Sequence, residues 1–479
     1  MAGKNLPYHA FHDAIQRPAS LYEDLEETAC APCLQREMAG WSSLAVLALA
    51  LAGVFAALLA VSRIPGAETV VPWPIDFFSR GLVIHVVLSF VVWFLAVFGN
   101  MLYIATLHVG GGAPPYTLLG RLAWLLSFGG LGLILIPSFT NRGEPFLNNY
   151  VPVISDPLYY AGLACLGLGL ALAVVRLLLC VPRRKGPLNP FAFAMVCVGV
   201  IYLLALMCVG LALHFLAGDA NTHAFNEHLF WGGGHALQFL NVGLMLIGWY
   251  VLAGLSLDAE PVPDRWFRGA LVWLVLAVAA MPVLYALFEP FEAGQTLAFT
   301  NLQYALAPPT VVVAALLVKT LLGAGPVDRS DPGFHCLVLS MAVFGVGGLL
   351  GLFVDGADTR TPAHYHGVIA GINLVMMGLF YRLFLPLQDR AVRVGRALYA
   401  QIWMFGLGQL FASVGLFVAG GYGTARKTAG AAQGLDAMGA KVGMVMNGIG
   451  AGIAIIGGIM FIWTIARSLL KAPGDGTTE

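Results

Sequence analysis

Pro362-Ala363-His364-Tyr365-His366-Gly367-Val368-Ile369-Ala370-Gly371-Ile372-Asn373-Leu374-Val375-Met376-Met377-Gly378-Leu379 opens a run over 362–386 in which Arg382 is the only charged residue and two histidines stand near the head. At about 1.5 Å rise per residue such a run exceeds the roughly 30 Å hydrocarbon core of a bilayer. It lacks the ten-residue apolar/polar alternation of an outer-membrane strand, so it reads as a transmembrane helix. Its two imidazoles are the anomaly, because a polar ring inside a membrane is costly unless it pairs, ligates or lines a cavity.

Eleven further runs of similar size lie near 41–62, 80–107, 117–138, 157–180, 190–216, 226–256, 265–288, 296–323, 333–354, 393–420 and 440–468, making twelve. Of the 479 residues 59% are hydrophobic and 10% charged, against roughly 25% charged in soluble domains, which excludes an ordinary soluble enzyme. Lys plus Arg and Asp plus Glu are 25 each, with no basic stripe, so lipid is the expected partner and nucleic acid is not. The 58 glycines suit helices that approach closely in a bilayer. No repeat of solenoid length is present. Five of the seven cysteines lie in apolar runs, and Cys30-Ala31-Pro32-Cys33 has no second pair to complete a zinc site. The fold expected is an all-α integral membrane protein: a cytoplasmic segment 1–40 without a removable signal, a twelve-helix domain 41–468 and a cytoplasmic tail 469–479. With both termini inside, 18 of the 25 Lys and Arg fall on the cytoplasmic side and 7 outside, as the positive-inside rule requires. Arg426, Lys427 and Lys441 breach it beside the last outer loop, where an anionic group would account for them.

That topology puts His85 on the second helix, His235 on the sixth, and His364 and His366 on the tenth within a few turns of the outer face, one layer of imidazoles from three distant helices. Residues two apart on a helix project about 200° apart, so the tenth helix presents one imidazole to each side. Two haems flanking it would use this: His85 and His366 close one iron, and His364 holds the other with a position open to a small molecule.

Asn226-Glu227-His228-Leu229-Phe230-Trp231-Gly232-Gly233-Gly234-His235 resembles the sixth-helix segment of subunit I of the haem-copper oxidase superfamily, where that histidine binds the active-site copper. The His-x-His of the tenth helix is similar to that family's double ligand, and Phe98-Gly99-Asn100 to the Gly-Asn of its second helix. The resemblance implies a high-spin haem on His364, a low-spin haem on His85 and His366, b-type or related haems, and propionates held by Arg426 and Lys427. It also implies a respiratory oxidoreductase of the bacterial inner membrane, in which electrons from a partner subunit, cytochrome c or quinol pass through the low-spin haem to NO or O2.

The departures narrow this. The seventh helix ends Leu284-Tyr285-Ala286-Leu287-Phe288-Glu289-Pro290, without the family's copper-binding His-His pair, so a copper on His235 would need carboxylate or water to fill its shell, while Glu289 or Glu292 could supply oxygen to an iron or another cation. Ala236-Leu237-Gln238-Phe239 replaces the family's Pro-Glu-x-Tyr, and Val313 stands where a proton-channel lysine would. Reduction of NO, which needs no tyrosyl radical, is therefore favoured over pumped O2 reduction, with His364, His235 and Gln238 as the catalytic candidates. Gln238 would bond a bound diatomic or tie helices together. His108 reads as a loop residue, and His214, His223 and His228 as outer-loop residues. Two alternatives stand beside this: a dihaem electron-transfer or gas-binding protein that has lost its copper site, and a twelve-helix transporter.

Overall fold

The computed structural model describes residues 4–5, 32–62, 77–111, 115–257, 260–324, 328–354, 356, 358–390 and 392–471; Cys30 and the end of the tail lie outside them. Among the described residues twelve helices are long and apolar enough to cross a membrane: α1 Arg36–Ser62, α2 Phe77–Gly110, α3 Thr117–Phe139, α4 Pro157–Arg183, α5 Pro190–Phe215, α6 His223–Ser256, α7 Asp264–Leu287, α8 Ala293–Gly323, α9 Pro332–Phe353, α10 Arg360–Leu387, α11 Arg396–Gly421 and α12 Met438–Leu470. Each coincides with an expected run. Several starts are fixed by capping residues. Asp156-Pro157, Asn189-Pro190 and Asp331-Pro332 open α4, α5 and α9, the first residue accepting from a backbone N–H of the first turn and the proline supplying a preset φ. Thr222 does the same for Phe225 N and starts α6 at His223.

Glycine sets the helix spacing. A Cβ on Gly130 would stand 2.6 Å from the Gly162 carbonyl, joining α3 to α4, and one on Gly367 would stand 2.6 Å from Gly347 Cα, joining α10 to α9. On α12 the series Gly443, Gly450 and Gly457 lies against the α11 backbone, where added Cβ atoms would come within 2.4 to 2.7 Å of the amide nitrogens of Ala419, Ala412 and Phe405. Without a hydrophobic force between helices in lipid, such backbone approach is what associates them.

Three helices stand apart in burial. Over their apolar windows α2, α6 and α10 are 72%, 89% and 83% buried, and the other nine 50% or less. These are the helices that carry His85, His235, His364 and His366.

The chain divides into two compact units, one of Met1–Gln16, Val46–Phe90 and Asp328–Glu479, the other of Arg17–Ala45 and Val91–Val327. In the first, the start of α9 is tied to α10 by a buried pair between Asp331 and Arg382, 3.0 Å apart. In the second, Arg176 is buried against Glu37 at 2.7 Å, Gly99 makes room for the Trp41 indole, and Asn100 donates to Ser42 Oγ at 3.1 Å. Helix α8 of that unit is interrupted by a tight turn, Gln303–Leu306, before Ala307. Pro308 and Pro309 have no N–H for the carbonyls four residues back, and the carbonyl of Ala305 accepts from Trp273 Nε1 at 2.8 Å instead.

Candidate functional site

In the first unit, His85 lies two turns into α2, just before a π-helical stretch, Val87–Val92, a distortion common at functional positions. Its Nδ1 is 3.0 Å from the carbonyl of Ala52. His364 is in the second turn of α10, and its Nδ1 is 2.8 Å from the carbonyl of Gly347; the Gly347–Gly367 approach brings that carbonyl within reach. A carbonyl only accepts, so each ring carries its proton on Nδ1 and its lone pair on Nε2. Histidines that ligate a metal are held this way, which fixes the ring and raises the basicity of the ligating nitrogen. His366 stacks on Tyr365 at 5.2 Å between ring centroids. All three imidazoles are half-buried on helices otherwise packed inside.

The loop after α11 is clasped to the start of α10. Ala425 pairs with Asp358 in an isolated β-bridge, Thr359 N donates to Thr424 O at 3.0 Å, and Thr359 Oγ1 donates to Leu416 O at 2.8 Å. Asp358 accepts from Arg360, with 2.7 Å between Nη2 and Oδ2. Burial disfavours its charge, but the bonds and charge of Arg360 outweigh this and hold the carboxyl below the usual range. Arg426 and Lys427 follow at once, both half-buried. The hydroxyls of Thr361 and Thr424 are buried with no hydrogen-bond partner among the described residues.

In the second unit His235 is fully buried. Its Nδ1 lies 2.7 Å from Trp231 O, and its Nε2 lies 3.0 Å from the Tyr150 hydroxyl. With the ring proton on Nδ1, the phenol donates to Nε2. Tyr150 sits in the loop of a short hairpin, Pro145–Phe146 with Val153–Ile154. It also accepts from Gln303 Nε2 at 3.4 Å, and Gln303 donates to Gln238 Oε1, so Gln238 ties α6 to the break in α8. Burial raises the Tyr150 phenol well above its ordinary pKa, the Gln303 bond working against this and the Glu227 charge with it. Glu289 and Glu292 are exposed. The oxygen sought from them beside His235 comes from Tyr150.

Residues 39–453 match the family model for cytochrome c and quinol oxidase polypeptide I. The chain belongs to this family. It is 23% identical over 498 residues, covering 91% of the chain and 96% of the relative, to the uncharacterised protein RP382 of Rickettsia prowazekii (strain Madrid E). An uncharacterised Aquifex aeolicus (strain VF5) protein is 28% identical over 361 residues, covering 73% and 84%. The fold matches a cryo-EM structure of a heme-copper terminal oxidase dimer with a TM-score of 0.76 at 15% identity, covering 92% of this chain and 85% of that one.

Haem is the cofactor this oxidase family implies, and the donor set suits it: two imidazoles oriented through Nδ1, and, at the start of α10, buried hydroxyls lacking acceptors beside two cations, as an anionic substituent requires. A copper centre does not fit. Among the described residues no three His, Cys, Asp or Glu side chains gather where a metal could be held. Tyr150 and Gln303 are the residues of this site that sequence patterns did not single out. Gln303 was a polar break in an apolar run, and Gly232-Gly233-Gly234 was a signal of close approach. Tyr150 lies 85 residues from its partner and has no local signature.

Proposed function

We propose that this chain is the haem-bearing subunit of a membrane oxidoreductase of the bacterial inner membrane, with both termini cytoplasmic, that reduces nitric oxide in preference to oxygen. The supporting observation is the paired orientation of His85 and His364, each proton on Nδ1 and each lone pair on Nε2. His85 and His366 would hold a low-spin haem, His364 a high-spin haem, and Arg426, Lys427, Thr361 and Thr424 the propionates. Bound haem supplies one-electron chemistry and affinity for diatomic gases. At the positions where the family's proton carriers would stand on α6 and α8 this chain has Leu237, Phe239 and Val313, none of which can take up or release a proton, and Phe239 and Val313 are fully buried. Electrons would come from a partner subunit, cytochrome c or quinol.

One observation favours the alternative of a dihaem electron-transfer or gas-binding protein, namely the bond from Tyr150 to the one imidazole that would hold a second metal. Family membership gives the transporter no support. Haem analysis, CO binding, and turnover of NO and O2 with an artificial donor test the proposal together. Two haems per chain, one shifted by CO, with faster NO than O2 consumption and no outward proton release, are expected. CO binding without turnover selects the alternative. Fast oxygen consumption with outward proton release refutes both.

A further inference from the structure

The strongest departure from the family lies at His235, and it bears on what that site binds whether the substrate is NO or O2. We infer that His235 is not a metal ligand in this protein, because the Tyr150 hydroxyl occupies the nitrogen a metal would use.

An imidazole offers a metal one in-plane lone pair, at about 2.0–2.1 Å for a typical His–metal bond. Here Nδ1 is committed as donor to Trp231 O, and Nε2 meets the phenol oxygen at 3.0 Å. One lone pair cannot serve both a proton donor and a cation. The other polar neighbours are unsuited to a cation. Gln303 and Gln238 are neutral amides already bonded to each other and, through Gln303, to Tyr150. The Trp231 ring lies 4.9 Å from that of His235, and its buried indole N–H, which has no acceptor among the described residues, is a donor and repels a positive ion. Glu227, the carboxylate on the same helix, accepts from Asn149 N at 2.8 Å and Asn149 Nδ2 at 2.6 Å. Eight residues from His235, it is about 12 Å up the helix.

The chain is also built to place the tyrosine there. A Cβ on Gly234 would stand 2.3 Å from Tyr150 Cβ and Cγ, so only glycine at 234 admits the ring. Gly233 and Gly232 are closed on their own sides by Val209 and by Tyr285 with Phe299. Asn149 straps the hairpin loop to Glu227 immediately before Tyr150, whose φ of +20° is a strained value that persists where surroundings impose it. Trp231, His235, Tyr150 and Gln303 therefore form a neutral hydrogen-bonding site that would hold a water or a small uncharged acceptor on the indole N–H.

The test is metal reloading of the purified full chain. Wild type, His235→Ala and Tyr150→Phe are each exposed to copper(II) and, in a separate anaerobic sample, to iron(II), then freed of excess and measured for non-haem metal, with circular dichroism and gel filtration confirming the fold. Wild type is expected to retain no more metal than His235→Ala. One extra equivalent in wild type overturns the inference. Should His235→Ala fail to fold, wild type against Tyr150→Phe decides: equal retention of one equivalent overturns the inference, and none in wild type upholds it. Independently, the phenol C–O vibration lost in the Tyr150→Phe difference spectrum is expected to shift in His235→Ala; an unmoved band means the bond is absent and overturns the inference.

Discussion

If His364 holds a haem as proposed, Gly351→Ala is expected to release that haem while sparing the one proposed on His85 and His366. Gly351 lies in right-handed helical conformation, φ −61° and ψ −25°, so alanine carries no backbone penalty there. The obstacle is the imidazole: an added Cβ would stand 2.6 Å from His364 Nδ1 and 2.7 Å from its Cε1. Restoring ordinary contact at 3.4 Å moves the ring by about 0.8 Å, the difference of the two distances, and Nδ1 is also the donor to Gly347 O. Loss of such a bond behind a metal-ligating histidine costs about 10–100-fold in affinity, or about 1.4–2.7 kcal/mol. The assay is haem content by pyridine haemochrome with a reduced-plus-CO difference spectrum, in wild type, Gly351→Ala, and Gly348→Ala. Gly348 lies on the same helix and its Cβ would meet nothing within 4 Å, so that variant should match wild type. If Gly351→Ala keeps a full CO-reactive haem, His364 does not hold that haem through the ring as oriented here.

His85→Ala and His366→Ala should each abolish the low-spin α-band; a full band in either excludes that pair as its axial ligands. Asp358 gives an acid dependence. Its carboxyl titrates lower folded than unfolded, so its contribution is complete above the unfolded value near 4 and is lost as pH falls through the folded one. Thermal stability of wild type should therefore fall more than that of Asp358→Asn between about pH 4 and pH 2, and parallel curves would remove Asp358 from the account.

The spans were legible because an apolar composition in a bilayer leaves the backbone one way to satisfy itself, as helices. His85, His364 and His366 were legible because a polar ring in an apolar run contradicts its surroundings. Interruptions were harder. The π stretch after His85 and the turn at Gln303 arise from how neighbouring helices and the Pro308-Pro309 pair dispose of freed carbonyls, which no hydropathy period records. Tyr150 was invisible for a different reason. Its value comes from a slot that Gly234 leaves in another helix, and a loop residue bears no mark of the void it fills.

The glycines that seat α12 on α11 recur every seven residues, at 443, 450 and 457, and the backbones meet with no side chains between them. Side-chain contacts adjust to small slips by changing rotamer, but backbone contacts have nothing to adjust. A one-residue deletion within α12 would turn every position beyond it by about 100°, carry the glycines off the seam and drive larger residues into the α11 backbone. Insertions of a full seven residues would keep the seam. The last helix is in this sense indexed rather than merely packed, and it accommodates a change of length in steps of that period or outside the stripe.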